Sequence, residues 1–263
     1  MPKLTIYQVD TFTNTIFGGN PAAVCPLQTW LSTDIMQAIA TENNLSETAF
    51  FVPQSTDNHF AIRWFTPNGE VKLCGHATLA TAFVIYEQLQ LTQAPLCFNS
   101  ASGLLHVTKH QQGIQLNFPA INNQAIDITI ANKLGLMAEQ CFQSAQDYLI
   151  VLPSQKQLVA YKPNLITMMT LDLRGVIITA PGNDCDVVSR CFYPKLHVPE
   201  DPVTGSAHCQ IIPYWAERLQ KNSIIAKQLS ARDGTLQCEY KNNRVYLAGN
   251  AALYMQGTLY LPD

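Results

Sequence analysis

Glu200-Asp201-Pro202-Val203-Thr204-Gly205-Ser206-Ala207-His208 is the stretch around which the chain is organised. An acidic pair and a proline lead into a Gly-Ser step. From Ala207 through Ala216 no Asp, Glu, Lys or Arg follows, and Cys209, Ile211, Ile212, Tyr214 and Trp215 dominate. This pattern predicts a loop feeding a helix whose body is buried on every side. The N–H groups of Gly205, Ser206 and Ala207, together with the helix dipole, make that entrance a site for an anion.

The first half of the chain carries a counterpart. Pro67-Asn68-Gly69-Glu70 forms a turn, and Cys74-Gly75-His76-Ala77-Thr78 opens into a run without charge until Glu87. The two runs predict central helices over 75–89 and 205–219, one per lobe. The polar, proline-headed Pro119–Gln124 segment sets the boundary, giving an N-terminal lobe 1–118 and a C-terminal lobe 119–263. The last strand, 253–263, is expected to return to the first lobe. A second echo points to duplication: Glu47 precedes Thr48-Ala49-Phe50-Phe51-Val52-Pro53, and Asp147 precedes Tyr148-Leu149-Ile150-Val151-Leu152-Pro153. Position 147 against 47 is an offset of 100, whereas 205 against 75 is 130, so this pairing requires a 30-residue insertion.

Composition narrows the class. Hydrophobic residues make up 47% of the 263 and charged residues 13%, which fits a globular chain with a large core and excludes disorder. A net charge of −3 and the lack of any basic run give nucleic acid or an anionic membrane little to attract. The N-terminus enters a strand pattern directly, without the features of a signal peptide, and no apolar run is long enough to span a bilayer. The eight cysteines are scattered, mostly within apolar runs, unlike a disulfide scaffold. A soluble cytoplasmic protein with reduced thiols is expected. Short alternating segments outnumber helices throughout, which predicts an α+β fold with mixed or antiparallel sheets.

Several residues are candidates for chemistry. Glu47 stands where a polar turn meets an apolar strand, a place where partial desolvation raises a carboxylate pKa toward the range of a general base. His76 follows Gly75 at a helix mouth, positioned to hold a substrate group or relay a proton. Asp201, Ser206 and His76 do not make a hydrolase triad, because Thr204-Gly205-Ser206-Ala207 lacks the G-x-S-x-G turn. Cys74 with His76, and His208 with Cys209, lack metal-ligand spacing, and no nucleotide-binding glycine loop is present. No metal and no cofactor are expected.

Five motifs in order resemble one family. Gly19-Asn20-Pro21-Ala22-Ala23-Val24, Asn44-Leu45-Ser46-Glu47-Thr48-Ala49-Phe50, Phe65-Thr66-Pro67, Cys74-Gly75-His76-Ala77-Thr78 and Glu200 to His208 are similar to the PhzF-like phenazine-biosynthesis isomerases. The resemblance implies a diaminopimelate-epimerase-like fold: two similar lobes, each a mostly antiparallel, barrel-like sheet around a central helix, with the site between them. It implies a cofactor-independent isomerase, commonly a homodimer, that moves a carbon-bound proton and double bond in a small carboxylate-bearing substrate. Glu47 would be the general base, with His76 and Asp201 as further catalytic residues. Asn20, Gly75, His76, Gly205 and Ser206 would bind substrate. Related epimerases place a cysteine at each helix mouth. Here Cys74 fills the first, but Thr204 stands at the second, so one-base chemistry by Glu47 is favoured. The alternatives are an epimerase or racemase using Cys74 and a non-catalytic binding protein.

Overall fold

The computed structural model describes residues 1–262. They fall into two compact units, one built from Met1–Asn117 and the residues from Ala248 onward, the other from Phe118–Leu247. The proposed 119–263 lobe is therefore shortened, because ten residues near the C-terminus complete the first unit's sheet. The strand Ala251–Tyr260 lies antiparallel to β1 (Lys3–Thr11), Lys3 opposite Tyr260.

In the first unit β1 also pairs with β2 (Asn20–Pro26). Helix α1 (Thr33–Asn43) then crosses to β3 (Glu47–Pro53), which runs parallel to β2. Ser32 caps α1 through its hydroxyl, and Asn44 closes it with a left-handed φ of 49°. β3 pairs antiparallel with β4 (His59–Thr66), and β5 (Gly69–Val71) folds back on β4. Helix α2 (Gly75–Phe83) makes the second crossover, to β6 (Leu96–Ser100), parallel to β4. β7 (Gly103–His110) and β8 (Gly113–Pro119) complete the meander. The two parallel pairs occur only where a helix intervenes, as a parallel connection requires. The pairings of β1 with β2, β3 with β4, β4 with β5, β6 with β7 and β7 with β8 are antiparallel.

Helix α2 packs against β1, β2 and β3, and its residues from His76 to Ala82 are all buried. Its charge-free sequence reflects that position. The expected helix over 75–89 is α-helical only to Phe83. Val84–Gln88, with the bulky Val84, Ile85 and Tyr86 in succession, opens into a π turn that lets the Tyr86 hydroxyl reach the Ala94 carbonyl at 3.0 Å. The opposite face of the sheet packs Phe50, Phe65 and Cys25 against Met36 and Ala40 of α1.

The second unit repeats this plan. β9 (Gln124–Ile126) pairs with β10 (Gln140–Gln143) after the short helix α3 (Thr129–Lys133), and β10 with β11 (Asp147–Val151). Helices α4 (Gln155–Ala160) and α5 (Leu165–Met169) lead to β12 (Gly175–Pro181), parallel to β11. β13 (Val187–Tyr193) is antiparallel to β12, and β14 (Val198–Asp201) folds back on it. Helix α6 (Gly205–Leu219) crosses to β15 (Ser223–Gln228), parallel to β13, and β16 (Gly234–Lys241) follows. Asn242 and Asn243, both at positive φ, turn the chain into β17 (Arg244–Gly249).

The order of pairings corrects the sequence-based duplication. The strand entering each parallel crossover is β2 in one unit and β11 in the other, and the strand leaving it is β3 and β12. Glu47, which opens β3, therefore corresponds to Gly175, which opens β12, and not to Asp147. In the two parallel registers Ala22 lies opposite Glu47 and Asp147 opposite Gly175, so Asp147 corresponds to Ala22. These pairs lie 128 and 125 positions apart, close to the 130 between Gly75 and Gly205, so no 30-residue insertion is needed. The earlier echo arose because Glu47 and Asp147 each open a buried apolar strand, β3 and β11, which take different places in their crossovers.

Candidate active site

Asn20, Glu47, Cys74 and His76 converge in the first unit. Gly19 makes Asn20's position possible: at φ 60° its missing Cβ would lie 1.9 Å from the Thr11 carbonyl oxygen, so any other residue would drive the strand apart. Asn20 is fully buried, and the Thr11 hydroxyl donates to its carbonyl at 2.9 Å. The parallel pairing of β2 with β3 puts Ala22 opposite Glu47, at the same end of the sheet as the α2 entrance.

At that entrance the N-cap residue Cys74 leaves the first turn without a side-chain cap. The Asn20 amide nitrogen stands 3.3 Å from His76 Nδ1, and Cys74 Sγ stands 3.5 Å from the same nitrogen. In the neutral ring this makes Nδ1 the acceptor and leaves the proton on Nε2, which faces Glu47 Oε2 at 3.1 Å. Although close, these two atoms are not aligned as a hydrogen bond, and both are buried without another partner. Burial opposes a charged imidazole, but Cys74 and Glu47 at its two nitrogens outweigh it and hold His76 well above the usual histidine range. Burial, followed by the Glu47 charge, pushes the Cys74 thiol up to about 11.

Glu47, Cys74 and His76 each bring a donor atom within 4.8 Å of the others. They are not arranged around one ion: the thiol faces Nδ1 and the carboxylate faces Nε2, on separate nitrogens of the ring. The geometry is a relay with the imidazole in the middle.

In the second unit, α6 begins at Gly205 behind the N-cap residue Thr204, again without a side-chain cap. The Thr204 hydroxyl donates to Asp201 Oδ2 at 2.5 Å. Glu200 is held by Arg190 through two contacts of 2.7 and 2.9 Å, so of the acidic pair Asp201 alone turns to Thr204. Gly205 is buried and Ser206 exposed, its hydroxyl at the helix entrance. Each expected site residue thus lies at its own unit's helix mouth.

Sequence reasoning missed Gln228 and His208. Gln228 is fully buried; its Oε1 accepts from the Thr204 N–H at 2.8 Å, and its Nε2 donates to the Asp201 carbonyl at 2.7 Å. The signal was present in β15, where Gln228 shares the inward parity of Ile224 and Ala226. His208 donates from Nδ1 to the Thr204 carbonyl at 2.8 Å while its Nε2 is buried without a partner, and burial lowers its pKa to about 4.

The position corresponding to Glu47 is closed. A Cβ on Gly175 would meet the Tyr193 ring at 2.3 Å and Asp147 Oδ1 at 2.7 Å, and Arg174 grips Asp147 at 2.9 and 3.0 Å. The second unit has filled the place of a base with a tyrosine and a half-buried ion pair.

Two mostly antiparallel sheets, each with a crossover helix opening at Cys74 or Thr204, define the PhzF and proline-racemase-like class of fold. A hydroxyproline epimerase from Agrobacterium vitis shares that fold at a TM-score of 0.64 with 9% identity, over 99% of this chain and 93% of that one. The family model for phenazine biosynthesis-like proteins matches residues 9–257. An uncharacterised isomerase of Pseudomonas aeruginosa is 47% identical over 98% of this chain and all of its own. The crystal structure of a PhzF-family protein from Enterococcus faecalis superposes at a TM-score of 0.95, with 44% identity, over 99% of this chain and all of that one. The chain belongs to the PhzF family of isomerases. Among the described residues, no helix is long and apolar enough to cross a membrane.

Proposed function

We propose that this protein moves a carbon-bound proton, and a double bond with it, in a small carboxylate-bearing substrate, with Glu47 as the base. The observation that carries the reading is the pair Glu47 Oε2 and His76 Nε2, buried 3.1 Å apart with neither hydrogen bond completed. The oxygen keeps a lone pair for a proton drawn from carbon, and the adjacent imidazole, which binds a second proton readily, can supply one in return. The uncapped N–H groups at the start of α2, and separately those at the start of α6, each suit a carboxylate. This chemistry needs proton transfer alone, and we assign it no metal or organic cofactor. The eight free cysteines support a cytoplasmic setting; the homodimer rests on the resemblance.

The contact between Cys74 and His76 favours a second reading, a racemase in which that thiol takes the proton. Against it stand the thiol's elevated pKa of about 11 and Thr204 in place of a second cysteine. A panel of small amino and cyclic carboxylic acids in deuterated solvent separates the two. Isomerisation delivers deuterium to a new carbon with migration of the double bond, and racemisation delivers it with inversion at one carbon. Failure of every member to exchange would support a binding protein instead.

A further inference from the structure

We propose that His59, Cys97 and His106 form a surface site for one d-block dication of the zinc class. Cys97 and Cys185 are the two thiols of the eight that are not buried. Cys185 gives its S–H to the Val187 carbonyl, whereas Cys97 lies in a row of imidazoles. On the parallel pair β4 and β6 it stands opposite His59, and on the antiparallel pair β6 and β7 it stands opposite His106. Residues directly opposite on neighbouring strands project to one face. Their chain neighbours Phe60, Leu96, Phe98, Leu105 and Val107 are buried, so this face is the outer one.

Cys97 Sγ and His106 Nδ1 are 3.4 Å apart. A tetrahedral ion with bonds of about 2.3 Å to sulfur and about 2.0 Å to nitrogen spans roughly 3.5 Å between those donors. The pair therefore already has the spacing of one edge of such a site. His59 is not yet within reach, since among the described residues only Glu47, Cys74 and His76 have three donors within 4.8 Å. Neighbouring strands lie about 4.8 Å apart, so the proposed site requires a change of rotamer at the partly exposed His59.

One thiolate and two imidazoles, without a carboxylate, select a borderline cation over calcium or magnesium. On binding, Cys97 releases its thiol proton to water and its sulfur lone pair forms the metal bond. Both histidines bind as neutral donors, and water takes the fourth position. The ion would tie β4, which precedes α2, to β6 and β7, which follow it. It would clip the crossover that carries Cys74 and His76.

Cobalt(II) titration of the full chain tests the site, using the thiolate-to-cobalt absorption band as the readout. About one equivalent should produce the band, zinc should displace it, and zinc should protect Cys97 from iodoacetamide. Cys97→Ser should abolish the band and Cys74→Ser should leave it. His59→Ala and His106→Ala should each weaken binding about tenfold or more, since even a partner behind a ligand is worth that much. A band that survives Cys97→Ser or vanishes in Cys74→Ser overturns the proposal. So does unchanged affinity in His59→Ala, or alkylation of Cys97 that zinc does not slow.

Discussion

Glu47→Gln is the most informative perturbation because glutamine keeps the volume and polarity while removing the charge and the base. Its effect on turnover should be large. Positioned acid–base catalysis contributes on the order of 10²–10⁴-fold, equivalent to about 2.7–5.4 kcal/mol of barrier, and solvent-deuterium uptake should fall at least that far. Its effect on stability should be smaller. Stripping one partner from a buried ion pair costs about 3–5 kcal/mol when the other charge stays behind, but His76 can shed its proton and escape most of that. The His76 pKa should accordingly fall in the variant, because one of the groups holding it up is gone. A group with a raised folded pKa stabilises fully below its unfolded pKa, near 6.5, and loses that contribution as pH rises through the folded value. The melting-temperature gap between wild type and variant should therefore be widest in mildly acidic solution and close toward alkaline pH. The assays are deuterium uptake by NMR, calorimetric binding of a substrate analogue, and thermal melts across pH. Near wild-type exchange by a folded Glu47→Gln protein would remove Glu47 from the mechanism and return the role to His76 or Asp201.

Cys74→Ser should retain much of the turnover, since the proposed base is a carboxylate; near-complete loss in a folded variant would favour the racemase reading. Gly175→Ala should destabilise by about 2–3 kcal/mol through overpacking against Tyr193 and Asp147, lowering the melting temperature by roughly 5–10 °C. An unchanged melt would show that the Tyr193 ring yields without cost. His208 acts opposite to His76: its folded pKa of about 4 lies below the unfolded value, so the native state binds fewer protons in acid. Stability should fall by about 1.4 kcal/mol per unit as pH drops below 6.5, reaching about 3 kcal/mol near pH 4, and His208→Gln should flatten that slope in acid denaturation curves.

Much of this protein is determined by its sequence alone. A helix buried on all sides can carry no charge, so the silent runs after Gly75 and Gly205 betray both crossover helices. Alternation marks the strands because one face of each meets a core, and it also exposes Gln228 as a polar residue with inward parity. The order of five motifs identifies the family. The tertiary structure decided which elements correspond and which side chains meet. Whether Glu47 matches Asp147 or Gly175 depends on which strands run parallel, a property of pairing that no local pattern encodes. The 3.1 Å approach of Glu47 to His76 likewise depends on β3 and α2 beginning next to one another. The Glu47–His76 couple at 3.1 Å and the plug of Tyr193 against Gly175 are contacts between segments distant in sequence, set by packing. Sequence specifies each segment's period and polarity, whereas the distances on which proton transfer depends exist only once the segments are packed.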